Sequence, residues 1–346
     1  MDQTPTISIV VPVRNRERTI GKCLQSLVNL DYPSYEVIVV DNGSTDRSLE
    51  IVSAFPVKLM KEKRRGAYAA RNRGLEAAQG ELFFFIDSDC IAERDVLKKL
   101  VRHFTDERIA GVGGQLQACE PTTLTEQFED FAGIQVFDLP RGLLEWDKNK
   151  FLSGAVHTSN ALFKKNAIRD VKGFDSDFRS GGDVHLCWQL QRAGYQIYFD
   201  PDAVVKHMHR TNLRGLMRQF FKYGVEQPRL LKKQPDPFSY FKLKTYLFPP
   251  YEFRCKLPIR MLMTIDASNL FLLGLILTIV SPLFLYFSLF LFPFIFFGTF
   301  RETFRIVKKS GSFKWFLLFP FFHLVRNFSF TIGRVLGGLK HRVLAF

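Results

Sequence analysis

Leu82-Phe83-Phe84-Phe85-Ile86-Asp87-Ser88-Asp89 is the stretch that decides how this chain reads. Five apolar residues in succession make a strand buried on both faces, the kind found inside parallel sheets. Two carboxylates spaced two apart at its carboxyl end leave the same side of the chain and can converge on one point. Such a pair suits a hard divalent cation, Mg²⁺ or Mn²⁺, that completes its shell with water and diphosphate oxygens. The same spacing recurs at Asp175/Asp177 and Asp200/Asp202. Position separates them, because only Asp87 and Asp89 follow an apolar strand.

Toward the N-terminus, Ile7 to Pro12 reads as another buried strand, followed by a helix over Arg18 to Val28 with Ile20, Leu24, Leu27 and Val28 at helical spacing. Tyr35 to Val40 is a third strand. It closes in the turn cluster Asp41-Asn42-Gly43-Ser44, and Thr45 or Asp46 is the expected N-cap of the next helix. Val57 to Met60 gives a short strand and Ala67 to Ala78 a helix closed by Gly80. Strands alternating with helices predict right-handed βαβ units and ligands at the carboxyl ends of the strands, hence an α/β fold. From Gly111 to Tyr198 the alternation becomes irregular, as expected where a chain builds an acceptor pocket. Helices are predicted there over Thr125 to Val136 and over Asp183 to Ala193, the second with Gly194 as its C-cap signal.

Charge marks a boundary. From Pro201 onward lie 22 of the 48 Lys and Arg but only 6 of the 34 Asp and Glu, leaving about −2 before it and +16 after it. A basic excess beside long apolar runs points to anionic lipid headgroups and away from nucleic acid. The five cysteines, Cys23, Cys90, Cys119, Cys187 and Cys255, are odd in number and show no metal-type spacing, which suits reduced thiols on a cytosolic face. No basic region precedes the first strand, so no cleavable signal peptide is expected. Leu270 to Phe300 carries no charge, contains Pro282 and Pro293, and is flanked by Arg254, Lys256 and Arg260 before and Arg301, Arg305, Lys308 and Lys309 after. Basic residues at both ends favour a kinked re-entrant hairpin over a single transmembrane span. Phe313 to Leu339, with His323, Arg326, Asn327 and Arg334 among its apolar residues, reads as an interfacial helix.

Other polar residues near the strand ends have two uses each. Asp41 could accept a hydrogen bond from a nucleobase or ribose, and Asp-Asn-Gly-Ser is also good turn chemistry. Asn15 and Glu17 are loop residues after the first strand. Gly66 precedes the helix bearing Arg71 and Asn72, where a guanidinium near a helix start could face a phosphate or simply solvent.

Together, Ile9-Val10-Val11-Pro12-Val13-Arg14-Asn15, Glu36 to Asp46, Gly66 with Arg71-Asn72-Arg73-Gly74-Leu75, Gly80-Glu81 and Phe85 to Asp89 closely resemble the family 2 glycosyltransferases, over roughly the first 210 residues. The resemblance implies a GT-A fold with a mostly parallel central sheet and inversion at the anomeric carbon. It places Pro12, Glu17 and Asp41 in the nucleoside pocket with Asn15 beside them, Gly66, Arg71 and Asn72 near the donor, and Asp87 with Asp89 on the metal. His207 resembles a histidine that some relatives place near the metal, and it also belongs to a basic cluster with Lys206, His209 and Arg210. The family's Glu-Asp pair, which supplies the catalytic base, corresponds to Gly182-Asp183, so Asp183 is the expected base and glycine takes the glutamate's place.

The expected organisation is a GT-A catalytic domain over 1–210, with a nucleotide half to about 110 and an acceptor half over 111–210. A basic amphipathic linker over 211–265 follows, then a C-terminal α-helical membrane region over 266–346. The activity this implies is transfer of one sugar from a nucleotide-diphosphate sugar to a lipid-linked or membrane-proximal glycan acceptor, at the cytoplasmic face of the cell membrane. A processive polysaccharide synthase is disfavoured because Arg214 to Tyr223 lacks the Gln-x-x-Arg-Trp motif that such enzymes share. A nucleotidyltransferase is disfavoured because the loop Pro12 to Glu17 has no glycine, and a non-catalytic scaffold because Asp41, Asp87, Asp89 and Asp183 are all present.

Overall fold

The computed structural model describes residues 5–133, 139–147, 150–234, 238–243, 251–257, 259–265, 267–279 and 281–346. By contacts the chain divides into two compact units: residues 1–122, 133–147 and 152–209 form the first, and residues 123–132, 148–151 and 210–346 the second.

The first unit is built on a nine-stranded sheet. Its strands are β1 (Ile7–Val13), β2 (Tyr35–Asp41), β3 (Lys58–Lys61), β4 (Leu82–Phe85), β5 (Cys90–Ala92), β6 (Ile109–Ala118), β7 (Gly142–Leu144), β8 (Ala161–Lys164) and β9 (Gln196–His207). They lie in the order β3-β2-β1-β4-β8-β6-β9-β5, with β7 on β9. Six of the nine run the same way, and β5, β7 and β8 run against them. The helices α1 (Ile20–Leu27), α2 (Ser48–Val52), α3 (Ala67–Ala77) and α4 (Val96–Val101) alternate with the first strands.

Strand β1 is fully buried because both faces are covered. Ile7, Ile9, Val11 and Val13 share a core cluster with Ile20, Leu24 and Leu27 of α1, each buried aliphatic side chain being worth about 1.5–3 kcal/mol. On the opposite face Val10 meets α3 so closely that a Cβ at Gly74 would lie 2.4 Å from Val10 Cγ1. Gly74→Ala is therefore expected to cost about 1–3 kcal/mol through overpacking. Its thermal midpoint should fall below the parent's while that of Arg73→Ala, at an exposed neighbour, stays in place. Equal midpoints for the two variants would mean that α3 lifts off the sheet without cost.

The alternation read from the sequence matches these elements, with two adjustments. The second helix starts at Ser48 and has Arg47 at its N-cap with no side-chain cap. Asp46 does not cap it as an isolated turn, because its carboxylate joins two loops, accepting from Ser48 N–H (3.0 Å) and from Glu17 N–H (3.1 Å). Helix α5 (Leu124–Phe131) opens on a capping box between Thr123 and Glu126. The predicted stretch to Val136 ends outside the described residues. Helices α6 (Lys165–Asp170) and α7 (Gly182–Arg192) complete the first unit, and Gly194 follows the second in the left-handed region.

Within the segment expected as a linker over 211–265, the described residues form regular elements of the second unit. They form helix α8 (Leu213–Lys233) and strands β10 (Phe238–Leu243), β11 (Tyr251–Lys256) and β12 (Met261–Ile265), which join β13 (Leu344–Ala345) in a four-stranded sheet. The partner that completes this sheet is the last few residues of the chain, a pairing too distant for local patterning to reveal. The uncharged stretch forms α9 (Ala267–Leu277) and the start of α10 (Leu283–Ser310), which pack against each other. Along α10, Leu283, Tyr286, Phe287 and Phe290 are exposed at helical spacing.

Helix α11 (Trp315–His341) is, among the described residues, the one helix long and apolar enough to cross a membrane. Its backbone lies directly on α8: a Cβ at Gly333 would come 2.3 Å from Phe221 O, and one at Gly224 would come 2.1 Å from Phe330 O. Arg334, one of the polar residues of the segment expected as an interfacial helix, is buried and donates to Gln227 Oε1 (2.8 Å), Thr264 Oγ1 (2.7 Å) and Phe346 O (3.2 Å).

Candidate active site

The expected site residues gather at the carboxyl ends of β1, β2 and β4. Pro12 is buried in β1 opposite Val40. Asn15 takes a left-handed conformation (φ 52°) that asparagine tolerates, accepting from Thr45 N–H (2.8 Å) while its own N–H donates to Ser44 Oγ (3.1 Å). Glu17 accepts from Arg47 N–H (3.2 Å). Asp41, buried, accepts from the N–H groups of Gly43 (3.3 Å) and Ser44 (3.0 Å). The loops after β1 and β2 are thus stitched together by side chain to backbone bonds.

Asn42, which the sequence reading treated only as a turn residue, clamps the next loop. Its amide donates to Glu62 O (3.0 Å) and Arg64 O (2.8 Å), and its carbonyl accepts from Gly66 N–H (2.6 Å). Gly66 precedes α3 at φ 128°, a conformation that other residues rarely adopt. From α3, Tyr68 and Arg71 reach the site. Asn72, one position on, does not: both ends of its amide hold the 174–176 loop, through Phe174 O (2.8 Å), Ser176 Oγ (3.0 Å) and Phe174 N–H (3.0 Å). Consecutive helical residues point about 100° apart, which turns the Asn72 amide toward this loop while Arg71 points to Asp87.

Asp87, Arg71, Tyr68, Asp183, His157 and Ser159 form a closed ring of contacts. Arg71 donates to Asp87 Oδ1 (2.5 Å) and lies over the Tyr68 ring at 5.1 Å. Tyr68 Oη donates to Asp183 Oδ1 (3.3 Å), whose Oδ2 is 3.2 Å from His157 Nδ1. His157 opens a turn, Asn160 N–H donating to its carbonyl (3.0 Å), and Ser159 of that turn donates to Asp87 Oδ2 (2.7 Å). The turn is anchored by Asn160, whose amide donates to Gln115 O and Ala203 O. Tyr68, His157 and Ser159 were missed in the sequence because each is an ordinary residue locally. One signal was available, the glycine at the family's glutamate position: a Cβ at Gly182 would lie 2.7 Å from the Tyr68 ring, so the tyrosine occupies the space that a larger residue there would need.

The electrostatics follow from this packing. Burial raises the Asp183 carboxyl, but the His157 hydrogen bond and charge, the Arg71 charge and the Val184 N–H more than offset it and hold the group below its ordinary value. Burial and the neighbouring Asp183 push the Tyr68 phenol well above its usual range, so it is a hydrogen-bond donor at neutral pH. Arg71 is 3 % exposed, and its Nε–H has no partner among the described residues. A buried guanidinium with a donor to spare is suited to a phosphate oxygen.

Asp87 and Asp89 diverge in their partners. Both oxygens of Asp87 are taken by Arg71 and Ser159, whereas Asp89 faces His207 Nε2 (3.6 Å) and Arg16 (3.4 Å). Ligand atoms of Asp89, Cys90 and His207 lie within 4.8 Å of one another, all three residues buried. Burial, then Asp89 and Asp87, push the Cys90 thiol well above its usual value, so without a cation it is a small apolar residue. Carboxylate with imidazole fits a divalent cation, and imidazole suits Mn²⁺ better than Mg²⁺. The loop carrying these groups is fixed by main-chain bonds from Cys90 N–H to Asp87 O (3.0 Å) and from Met208 N–H to Asp89 O (2.8 Å).

A mostly parallel sheet with an acidic strand-end pair and a third carboxylate on a facing helix defines a GT-A nucleotide-sugar fold. Residues 8–172 match the model of the glycosyl transferase family 2. The chain is 30 % identical over 233 residues to glycosyltransferase AglE of Haloferax volcanii, covering 64 % of this chain and 73 % of that protein. It is 27 % identical over 262 residues to the dolichyl N-acetyl-alpha-D-glucosaminyl phosphate 3-beta-D-2,3-diacetamido-2,3-dideoxy-beta-D-glucuronosyltransferase of Methanococcus voltae, covering 70 % and 77 %. Among solved structures it is similar in fold to mannosyltransferase PcManGT from Pyrobaculum calidifontis in complex with GDP-Man and Mn²⁺, with TM-score 0.51 and 23 % identity over 67 % of this chain and 64 % of that one. This chain belongs to glycosyltransferase family 2 and is a glycosyltransferase.

Proposed function

We propose that this enzyme transfers a single sugar, with inversion, from a nucleotide-diphosphate sugar to a hydroxyl of a lipid-linked or membrane-proximal acceptor at the cytoplasmic face of the cell membrane. The observation that carries this reading is the closed ring that ties Asp183 to Asp87 through Arg71 and Tyr68 on one side and His157 and Ser159 on the other. It supports a carboxylate held ionised at one end and a cationic, phosphate-seeking group at the other.

In this reading Asp183 accepts the acceptor hydroxyl's proton as that oxygen forms a bond to the anomeric carbon. The bond from that carbon to the diphosphate breaks, its electron pair leaving with the diphosphate, and attack from the opposite face inverts the centre. Arg71 offers its free Nε–H to the departing phosphate. Asp89 and His207 would hold Mn²⁺ or Mg²⁺, with Asp87 beside them, and a bound cation would neutralise charge on the leaving group. Pro12, Asn15, Glu17 and Asp41 would bound the nucleoside pocket. One relative, named for a dolichyl phosphate acceptor, supports a lipid-linked acceptor.

The second unit supports membrane attachment, by a re-entrant or spanning apolar segment. Leu283, Tyr286 and Phe290 are exposed on α10, basic residues Arg301, Arg305, Lys308 and Lys309 follow them on the same helix, and α11 is long enough to span. Labelled sugar from UDP- and GDP-sugars, incubated with Mn²⁺ and a membrane lipid extract, should therefore enter the solvent-extractable lipid, one residue per acceptor. A ladder of products would replace single transfer with processive synthesis, and label confined to water-soluble material would remove the lipid acceptor.

A further inference from the structure

We infer that His157 is a positioning residue for Asp183, one that nothing in the family motifs assigns. Three observations converge on it. Its Nδ1 sits 3.2 Å from Asp183 Oδ2, while Tyr68 Oη (3.3 Å) and the Val184 N–H (3.0 Å) both donate to Oδ1, so Oδ1 is filled and Oδ2, held by His157, keeps a lone pair for an incoming hydroxyl. A carboxylate only accepts, so Nδ1 carries the hydrogen in this contact. The same turn that presents His157 also presents Ser159 to Asp87, and its anchor Asn160 is buried against the carbonyls of Gln115 and Ala203. The imidazole is therefore set by the sheet and not by a loose loop.

Asp183 stands against α3 and this turn, and the groups facing it from them are Tyr68, Arg71 and His157, with Cys187 on its own helix. Of these groups, His157 makes the strongest opposition to the burial that would protonate Asp183. Removing it leaves burial less opposed, so the carboxyl titrates at higher pH. The acid limb of turnover, which requires the ionised form, must then move to higher pH.

This inference rests on the assignment of Asp183 as base, and the experiment separates the two. Full-length parent, His157→Ala, His157→Gln and Asp183→Asn are compared as purified membrane-associated enzyme, using the UDP- or GDP-sugar chosen by the labelling panel, Mn²⁺ and the lipid extract. Expected are a fall in kcat for His157→Ala on the order of 10²-fold, as for a misplaced reacting group, an unchanged donor KM, and an acid limb shifted upward. His157→Gln, which keeps a neutral donor, should recover part of the rate and part of the shift. It also carries the test if the alanine variant fails to fold. Parent-like turnover, or a uniform loss at every pH with an unmoved acid limb, overturns the positioning role while an inactive Asp183→Asn keeps the base assignment. An active Asp183→Asn overturns both.

Discussion

Asp183→Asn should reduce sugar transfer by about 10²–10⁴-fold, the usual range for loss of a general base, while nucleotide-sugar binding stays within a few-fold of the parent. The side chain keeps its shape, its amide oxygen can still accept from Tyr68 and the Val184 N–H, and its NH2 can donate to His157 Nδ1 once the imidazole takes the other neutral tautomer. What it loses is a charged oxygen able to take a proton. A donor-binding titration and a transfer rate, measured on the same preparation, separate the two effects. Turnover near the parent's rate would place the base elsewhere. The pH dependence has a definite sign. Because the Asp183 carboxyl is held below its ordinary value, the proposed base remains ionised through neutral pH, and activity should fall only as pH drops through that lowered value. The same group adds stability above the ordinary carboxylate range, and that contribution is lost over the same acid window.

Removal of the cation should have the next largest effect. Asp89→Ala takes away the one acidic side chain of the strand-end pair that faces His207, and leaves Asp87 bound to Arg71 and Ser159. Transfer should drop at least 10²-fold, in line with the loss of an electrostatic stabiliser of a leaving group. Chelation of the parent should do the same, with recovery on adding Mn²⁺ and no recovery in the variant. Isothermal titration of Mn²⁺ checks the cause directly, because a structural defect would spare metal affinity in folded protein. Transfer indifferent both to chelator and to Asp89→Ala would remove the metal from the mechanism.

How far the sequence reached can be judged residue by residue. The buried strands β1, β2 and β4 were legible because double-sided burial writes an unbroken apolar run, and the carboxyl-end acids were legible because a strand end is a fixed place in such a sheet. The partners of those acids were not. Tyr68 lies 115 residues from Asp183, and Ser159 lies 72 from Asp87, separations over which no periodicity carries information. Asn72 shows a bracing contact that its place in a recognisable motif did not suggest: its amide holds the loop before Asp183. In the second unit, composition registered the apolar helices but not the small sheet, since β12 finds its neighbour β13 only at the end of the chain.

The contact of α8 with α11 has a mechanical consequence. Where Gly224 and Gly333 let main chain rest on main chain, no side chain lies between the helices to act as a roller. Neither can turn about its own axis or slide by a residue without a collision of peptide groups, and the hydrogen bond from Arg334 to Gln227 pins the same joint. The two therefore behave as a single spar, and any force exerted on one is felt at once along the other.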